Sequence, residues 1–328
     1  MTTMAHDTRR QGIAGGLALA IPSAVAFGMS GSLARSLMEA GWTAGAATLG
    51  RVFVATLALL VPGIRALRGD WGLVRRNLRA ILAYGVFAVA GAQLCYFLAV
   101  SYLQVGVALL IEYTAPVAVV LWMWARHGHR PGILTAAGAA LAAVGLVLLL
   151  DVFGGGPIQI VGVAWALGAM VGAAIYFVIS ADDSSGLPPI TLAAAGLLVA
   201  FLALGVAGLV GVLPLTATTA PAQFAGFVAP WWAVVLWLGL VTAALAYVLG
   251  IAASRRLGPR LASFVALTEV LAALLFAWLL LAEAPAPVQL LGAALVIAGV
   301  VVVKLGEPKA ADLQLELPDE HYTAAPPR

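Results

Sequence analysis

Apolar runs close to 20 residues long follow one another along the chain with few polar positions inside them: 11–33, 43–62, 78–100, 104–125, 132–151, 160–180, 189–211, 231–252, 260–281 and 286–304. A helix needs about 20 such residues to cross the hydrocarbon core of a bilayer. The runs are continuous and do not alternate with polar residues, which excludes barrel strands on period alone. Backbone exposed to lipid must then bond to itself as helix. The pattern predicts an all-α integral membrane protein of ten transmembrane helices. Turn and interface residues fill the breaks, among them Gly41-Trp42, Gly63 to Trp71, Gly128 to Pro131, Gly154 to Pro157, Gly186 to Pro189, Pro230-Trp231-Trp232 and Pro285. Most connections are short, so consecutive helices should be antiparallel neighbours.

Composition agrees with the pattern and removes other classes. Of 328 residues, 63% are hydrophobic and 9% charged, against about a quarter charged in a soluble domain, and mean hydropathy is +1.06. The single cysteine, Cys95, lies in an apolar segment, so neither an intrachain disulfide nor a cysteine metal site can form. His127 and His129, flanking Gly128 beside Arg126 and Arg130, lack a further ligand for a metal. No cofactor is expected. The net charge of +3 is small, and the arginines lie between apolar runs, where they report membrane orientation and not nucleic-acid binding.

Orientation follows from lysine and arginine, which hold short loops in the cytoplasm. Arg9 and Arg10 keep residues 1–10 inside. Alternate connections from there carry Arg65, Arg68, Arg75, Arg76 and Arg79, then Arg126 and Arg130, then Arg255, Arg256 and Arg260, with Lys304 and Lys309 last. The opposite connections carry only Arg35. This places both termini in the cytoplasm and the protein in the inner or plasma membrane. The connection with Asp182 and Asp183 lacks positive charge, but acidic residues weigh little in this rule. Arg9 and Arg10 before an apolar run also suit a signal peptide, yet nine further runs favour a retained first helix. The tail over residues 305–328 is polar and proline-containing and should be disordered. Trp42, Trp71, Trp231 and Trp232 fall where interfacial anchors belong.

The sequence also repeats. A shift of 154 residues brings Pro131 onto Pro285, Gly138 onto Gly292 and Gly145 onto Gly299. The halves are then 11–151 and 160–304. Five helices per half is odd, so the second half should be inverted relative to the first, as in many secondary transporters.

At these positions the chain resembles the EamA-like proteins of the drug/metabolite transporter superfamily. The resemblance rests on Leu267-Thr268-Glu269-Val270, on Leu279 to Pro285, on Gln289-Leu290-Leu291-Gly292, and on Gly299-Val300. The first half adds Ala108 to Val117, containing Ile111-Glu112-Tyr113-Thr114-Ala115-Pro116, which is similar to the threonine and homoserine exporter branch. Val270 stands where the family often has proline and Ala282 where it has glycine. The resemblance implies export of amino acids or similar small metabolites by alternating access, proton-coupled or facilitative, with no enzymatic activity. Other solute classes within the superfamily, such as drugs and nucleobases, stay open. So do a passive channel, a membrane scaffold and a membrane enzyme, although no paired-histidine helix, nucleophile elbow or P-loop is present.

Three ionisable residues lie inside apolar segments: Arg51, Glu112 and Glu269. Charges at such depth are costly and should face protein or a watery cavity. At about 1.5 Å per residue, Arg51 lies about 13 Å from the outer end of its helix and Glu112 about 12 Å from the outer end of its own. The functional reading has Arg51 engaging a substrate carboxylate while Glu112 or Glu269 takes the substrate amine or a coupling proton, since desolvation of a carboxyl group suits reversible protonation. The structural alternative is an Arg51–Glu112 pair that orders the bundle. Gln93, Tyr96, Tyr113, Thr114, Tyr176 and Tyr247 are the other candidates to line a binding cavity, each with an interhelical hydrogen bond as its alternative role. Tyr113 and Thr114 precede Pro116, whose missing amide should free the Glu112 carbonyl. The small-molecule substrate and the lipid bilayer are the partners this reading implies.

Overall fold

The computed structural model describes residues 2–115, 132–149 and 159–306. Pro116, Arg126, His127, His129, Arg130, Gly154 to Pro157, Lys309 and the tail from Glu307 lie outside the described residues, as does the second half of the predicted 104–125 helix.

The first predicted helix is longer than its apolar run. It comprises α1 (Thr2–Gly28), an interruption at Met29, and α2 (Ser30–Glu39). The helix outlasts the polar residues because they find partners: Arg35 pairs with Glu39 four residues on at 2.9 Å and donates to the Val100 carbonyl at 2.5 Å. Gly41, at φ +98°, ends it, with the Gly41 and Trp42 amides donating to the Met38 and Leu37 carbonyls at 3.0 and 3.1 Å. This is a glycine-terminated helix end in which a left-handed residue satisfies the last carbonyls.

α3 (Ala44–Ala66) is capped by Thr43, whose hydroxyl accepts from the Ala46 amide. Next come α4 (Trp71–Arg76), α5 (Leu78–Ala83), a π-helical stretch Tyr84–Gly91, α6 (Ala92–Val100) and α7 (Val105–Glu112). The remaining described elements are α8 (Ile133–Leu149), α9 (Ile160–Ala181), α10 (Pro189–Leu209), strands β1 (Ala222–Phe224) and β2 (Phe227–Ala229), α11 (Trp231–Gly239), a second π-helical stretch Leu240–Leu245, α12 (Ala246–Val265), α13 (Leu267–Leu281) and α14 (Pro287–Gly306).

Two features differ from the sequence reading. Helix continues through residues 253–259, where a break was expected, although Gly258 and Pro259 fall there. The chain is also not wholly helical. β1 and β2 pair as an antiparallel hairpin, Gln223 opposite Val228, with Gly226 at φ +94° in the turn. The segment between the seventh and eighth runs is too short and too interrupted by proline and threonine to form a spanning helix, and its hairpin packs Ala222, Phe224 and Ala229 against the core.

Among the described residues six helices are long and apolar enough to cross a membrane: Ala14–Glu39, Ala44–Ala66, Leu78–Val100, Ile160–Ala181, Pro189–Leu209 and Trp231–Leu257. Shorter apolar helices cover Ala136–Gly145, Thr268–Leu281 and Pro287–Gly299. Their outward faces carry large apolar side chains such as Leu57, Phe87, Leu202, Leu271 and Trp278, each more than half exposed. A soluble protein seldom presents so much apolar surface; lipid would cover it.

Packing relies on small residues, as it must where lipid removes the hydrophobic drive between helices. α8 and α14 run antiparallel in close contact. A Cβ on Gly145 would meet the Gly292 carbonyl and the Val296 amide, and one on Gly299 would meet the Gly138 carbonyl and the Ala142 amide. The contact is therefore reciprocal under the 154-residue shift. α3 and α10 also pack together, with Phe53 and Phe201 ring centroids 5.4 Å apart and the Thr191 hydroxyl donating to the Gly63 carbonyl at 2.9 Å.

The two ends of the bundle are closed differently. At one end the segment between α10 and α11 crosses the α2–α3 turn as a strap. The Thr43 amide donates to the Thr216 carbonyl at 2.9 Å, the Trp42 indole to the Thr218 carbonyl at 2.9 Å, and the Thr218 hydroxyl to the Ala40 carbonyl at 2.6 Å. Ser36 and the Ala225 amide tie the hairpin to the helices through the Gln223 and Leu280 carbonyls at 2.5 and 2.7 Å. Glu283 accepts from the Val105 amide at 3.2 Å, capping α7. The opposite end carries Arg65, Arg68, Arg75, Arg76 and Arg79.

Candidate functional site

A cavity of about 70 Å³ lies in the middle of the bundle, and Glu112 and Glu269 are the carboxylates on its wall among the described residues. α7 delivers Glu112 as its last residue, after which Tyr113 and Thr114 form a turn. That ending explains how consecutive residues reach the same space: the Tyr113 hydroxyl donates to Glu269 Oε2 at 2.5 Å across the gap between α7 and α13. Glu112 is only 9% exposed. The remaining wall is largely aromatic and small. Phe27, Tyr176 and Tyr247 meet edge to face, with Phe27–Tyr247 centroids at 5.0 Å and Tyr176–Tyr247 at 5.8 Å. Gly250 on α12 makes the space they need, because a Cβ there would run into the hydroxyls of Tyr176 and Ser23.

Six of the nine sequence candidates line this cavity together: Gln93, Glu112, Tyr113, Tyr176, Tyr247 and Glu269. Three stand elsewhere. Thr114 turns its hydroxyl onto the Ile111 carbonyl at 2.7 Å and towards the Met170 sulfur at 3.2 Å. Tyr96 is buried beside Phe97, its hydroxyl against Gly31. Arg51 is fully buried one layer behind the wall, donating to the Gln93 side-chain oxygen and to the Thr242 carbonyl, with the Phe97 ring 5.6 Å from its guanidinium carbon. No ion pair joins it to Glu112 or Glu269, so in place of the alternative Arg51–Glu112 pair the arginine is held through neutral acceptors.

The π-helical stretches account for part of this arrangement. In such a stretch the i→i−4 bonding shifts by one residue and the local carbonyls are redirected. Thr242, in the second stretch, presents its carbonyl to Arg51 while its hydroxyl bonds the Leu238 carbonyl at 2.8 Å. Ala88, in the first stretch, contributes to the cavity wall. Gln93, just after the first stretch, accepts from Arg51 and donates from Nε2 to the Tyr247 hydroxyl at 3.3 Å.

Sequence reasoning did not pick out Phe27, Phe177, Ser254 or the run of small residues Ala20, Ala24, Ala92 and Ala173 on the wall. Alanine and glycine signal space only once the opposing helix is known. Ser23 had a signal of its own in Pro22, and its hydroxyl bonds the Ala246 carbonyl at 2.7 Å.

The arrangement offers two carboxylates, a tyrosine hydroxyl bound to one of them, an amide and an aromatic wall, inside an apolar bundle. It can hold a small polar solute and exchange protons. Among the described residues no group of histidine, cysteine, aspartate and glutamate is placed to hold a metal.

Comparison with known proteins agrees with these features. No curated protein matches the chain. A solved structure described only as "Crystal structure of protein" superposes with a TM-score of 0.59 at 21% identity, over 88% of this chain and 96% of that one, a likeness of fold alone. The model of the EamA-like transporter family matches in two stretches, residues 14–151 and 160–305. Matched over nearly all of its apolar length, the chain is an integral membrane protein that belongs to the EamA-like transporter family.

Proposed function

We propose that this protein is a secondary transporter that exports amino acids or similar small metabolites by alternating access of two inverted five-helix halves, with both termini cytoplasmic. The observation that carries the reading is the meeting of Glu112 and Glu269 on one cavity in the centre of an apolar bundle. Charges so placed cost several kcal/mol, and residues retained at that cost face a solute or ion path by default. Glu112 takes the solute's amine and Glu269, held by Tyr113, exchanges a coupling proton, or the two share both duties. Arg51 positions Gln93 and fixes a positive charge behind the site.

Two further observations support the inverted halves. α8 and α14 are antiparallel with reciprocal glycine contacts, and the two π-helical stretches end at Gly91 and Leu245, which the 154-residue shift superposes. Alternating access fits the unequal ends. The cavity wall reaches Ser254 and Ala262 near the arginine-bearing end, whereas the strap closes the other end with main-chain hydrogen bonds.

The test is counterflow. Purified protein in liposomes loaded with unlabelled threonine and homoserine is offered labelled threonine beside a panel of other amino acids. Saturable uptake reduced by unlabelled competitor is expected. Absence of counterflow with every amino acid, from folded protein, removes the amino-acid reading and directs the search to nucleobases, drugs and other metabolites.

A further inference from the structure

Beside the cavity lies a cluster of polar groups that has no part in the transport scheme proposed for Glu112 and Glu269. Arg255 on α12, with 11% of its side chain exposed, gives Nη1 to the Leu187 carbonyl and stands 3.5 Å from Asp183. Its Nε and Nη2 are buried and have no hydrogen-bond partner. The Tyr84 and Ser180 hydroxyls, on residues with no exposure at all, are buried as well, and neither bonds a group outside the set Tyr84, Ser180 and Tyr176. Tyr84 is an electrostatic neighbour of Arg255, and Ser180 lies beside the hydroxyls of Tyr84 and Tyr176.

Buried polar groups are nearly always satisfied, so each exception asks for an explanation. Four of the six buried side-chain atoms that lack a partner of good hydrogen-bond geometry among the described residues belong to this one cluster. The chemistry of these groups is specific. Nε–H and Nη2–H form one edge of the planar guanidinium, a fork whose spacing matches the two oxygens of a carboxylate. The Tyr84 hydroxyl, near enough to Arg255 to feel its charge, and the Ser180 hydroxyl beside Tyr84 add donors. Asp183 is on the Nη1 side and leaves the fork free.

The cluster also adjoins the cavity. The Tyr84 ring packs against Tyr176 and Tyr247 at centroid distances of 6.0 and 6.4 Å, and both of those residues line the cavity, as does Ser254 next to Arg255.

We propose that the Nε–Nη2 edge of Arg255, with the hydroxyls of Tyr84 and Ser180, is a carboxylate-binding site beside the cavity, which receives the acid group of the transported solute. The proposal rests on the carrier reading for the solute's identity, but the site itself does not. It assigns to Arg255 the role that the sequence suggested for Arg51, whose Nη atoms are already occupied.

The experiment has two arms on the full-length protein in detergent and in liposomes. In the first, thermal unfolding is followed with acetate and, separately, with the neutral isostere acetamide in chloride. Acetate should raise Tm of the wild type, because a ligand that binds the folded state stabilises it. The rise should vanish in Arg255→Lys, which keeps the charge but loses the fork, and in the Tyr84→Phe/Ser180→Ala double variant, which keeps Arg255. No rise in the wild type, or an equal rise in both variants, overturns the proposal. In the second arm, an amino acid and the amine it yields on decarboxylation compete in counterflow. The wild type should favour the amino acid by about tenfold or more, since a site built to bond a polar group rejects the analogue lacking it. Arg255→Lys should reduce that preference to near one without weakening the amine. Equal acceptance of both by the wild type overturns the proposal for the solute. An acetate effect without any counterflow keeps the site and removes the carrier reading instead.

Discussion

Gln93 donates a 3.3 Å hydrogen bond to the Tyr247 hydroxyl, and the two residues are 154 positions apart, the interval at which the sequence repeats. Residues in equivalent places of two halves meet each other only near the axis that relates the halves, as at any two-fold interface. At the α8–α14 contact the relation is one of exchange: Gly145 faces Gly292 and Val296 while Gly299 faces Gly138 and Ala142, positions that the same shift superposes. The cavity wall at Gln93 and Tyr247 is therefore where the two family-matched stretches of the chain meet, the position at which the proposed alternating access would hold the solute.

Gln93 should be sensitive to change for a reason unrelated to solute. Gln93→Ala removes the acceptor of a fully buried arginine and leaves a charged N–H without a partner. Loss of one side of a buried charged bond costs about 1–3 kcal/mol or more, whereas Tyr247→Phe removes one neutral bond worth about 1 kcal/mol. Thermal unfolding in detergent should show the first variant clearly less stable than the second. Equal stabilities would mean that Arg51 does not depend on Gln93.

Glu112→Gln should leave the protein in the membrane and abolish the pH dependence of transport, because an amide cannot carry the proton. Tyr113→Phe removes the 2.5 Å bond to Glu269 and should lower proton-driven uptake while leaving counterflow of solute closer to normal. Uptake driven by a pH gradient is measured beside counterflow for each variant. Full gradient-driven uptake by Glu112→Gln would exclude Glu112 as the coupling site.

The strap gives a test of alternating access. Thr43 and Thr216 are joined by main-chain and side-chain hydrogen bonds of 2.9 and 3.1 Å. Thr43→Cys with Thr216→Cys, made with Cys95→Ala to remove the single native thiol, should cross-link on mild oxidation and stop counterflow, and reduction should restore it. Undiminished counterflow by the fully cross-linked protein would show that this end need not open.

At the α8–α14 contact, Gly145→Leu forces a side chain against the Gly292 carbonyl and the Val296 amide. Overpacking of this kind costs about 1–3 kcal/mol, so Tm should fall, and Gly132→Leu, at a position with open space around it, should have little effect. The comparison is made by thermal unfolding, and an equal fall for both would deny the close contact.

Much of this was legible in the sequence because lipid is a strict solvent. Length and continuity of the apolar runs settle helix, since backbone in hydrocarbon has few ways to satisfy its hydrogen bonds, and six of the predicted runs appear as full-length apolar helices. Expense alone pointed to Glu112 and Glu269, because a carboxylate inside such a run must have a purpose. Glycine and proline spacing carried the repeat. The tertiary structure decided what depends on neighbours. In sequence Arg51 stood out inside an apolar run and Arg255 read as one of several orienting charges in a connection, yet Arg51 has both Nη atoms bonded and sits behind the wall while Arg255 keeps a fork free. The π-helical stretches leave no mark in hydrophobic periodicity, since every position in them is apolar or small. The hairpin arose in a segment whose polar residues spoke only of a loop. Alanines on the cavity wall gave no signal at all, because an absent side chain acquires meaning only from the residue that fills, or leaves, the space opposite.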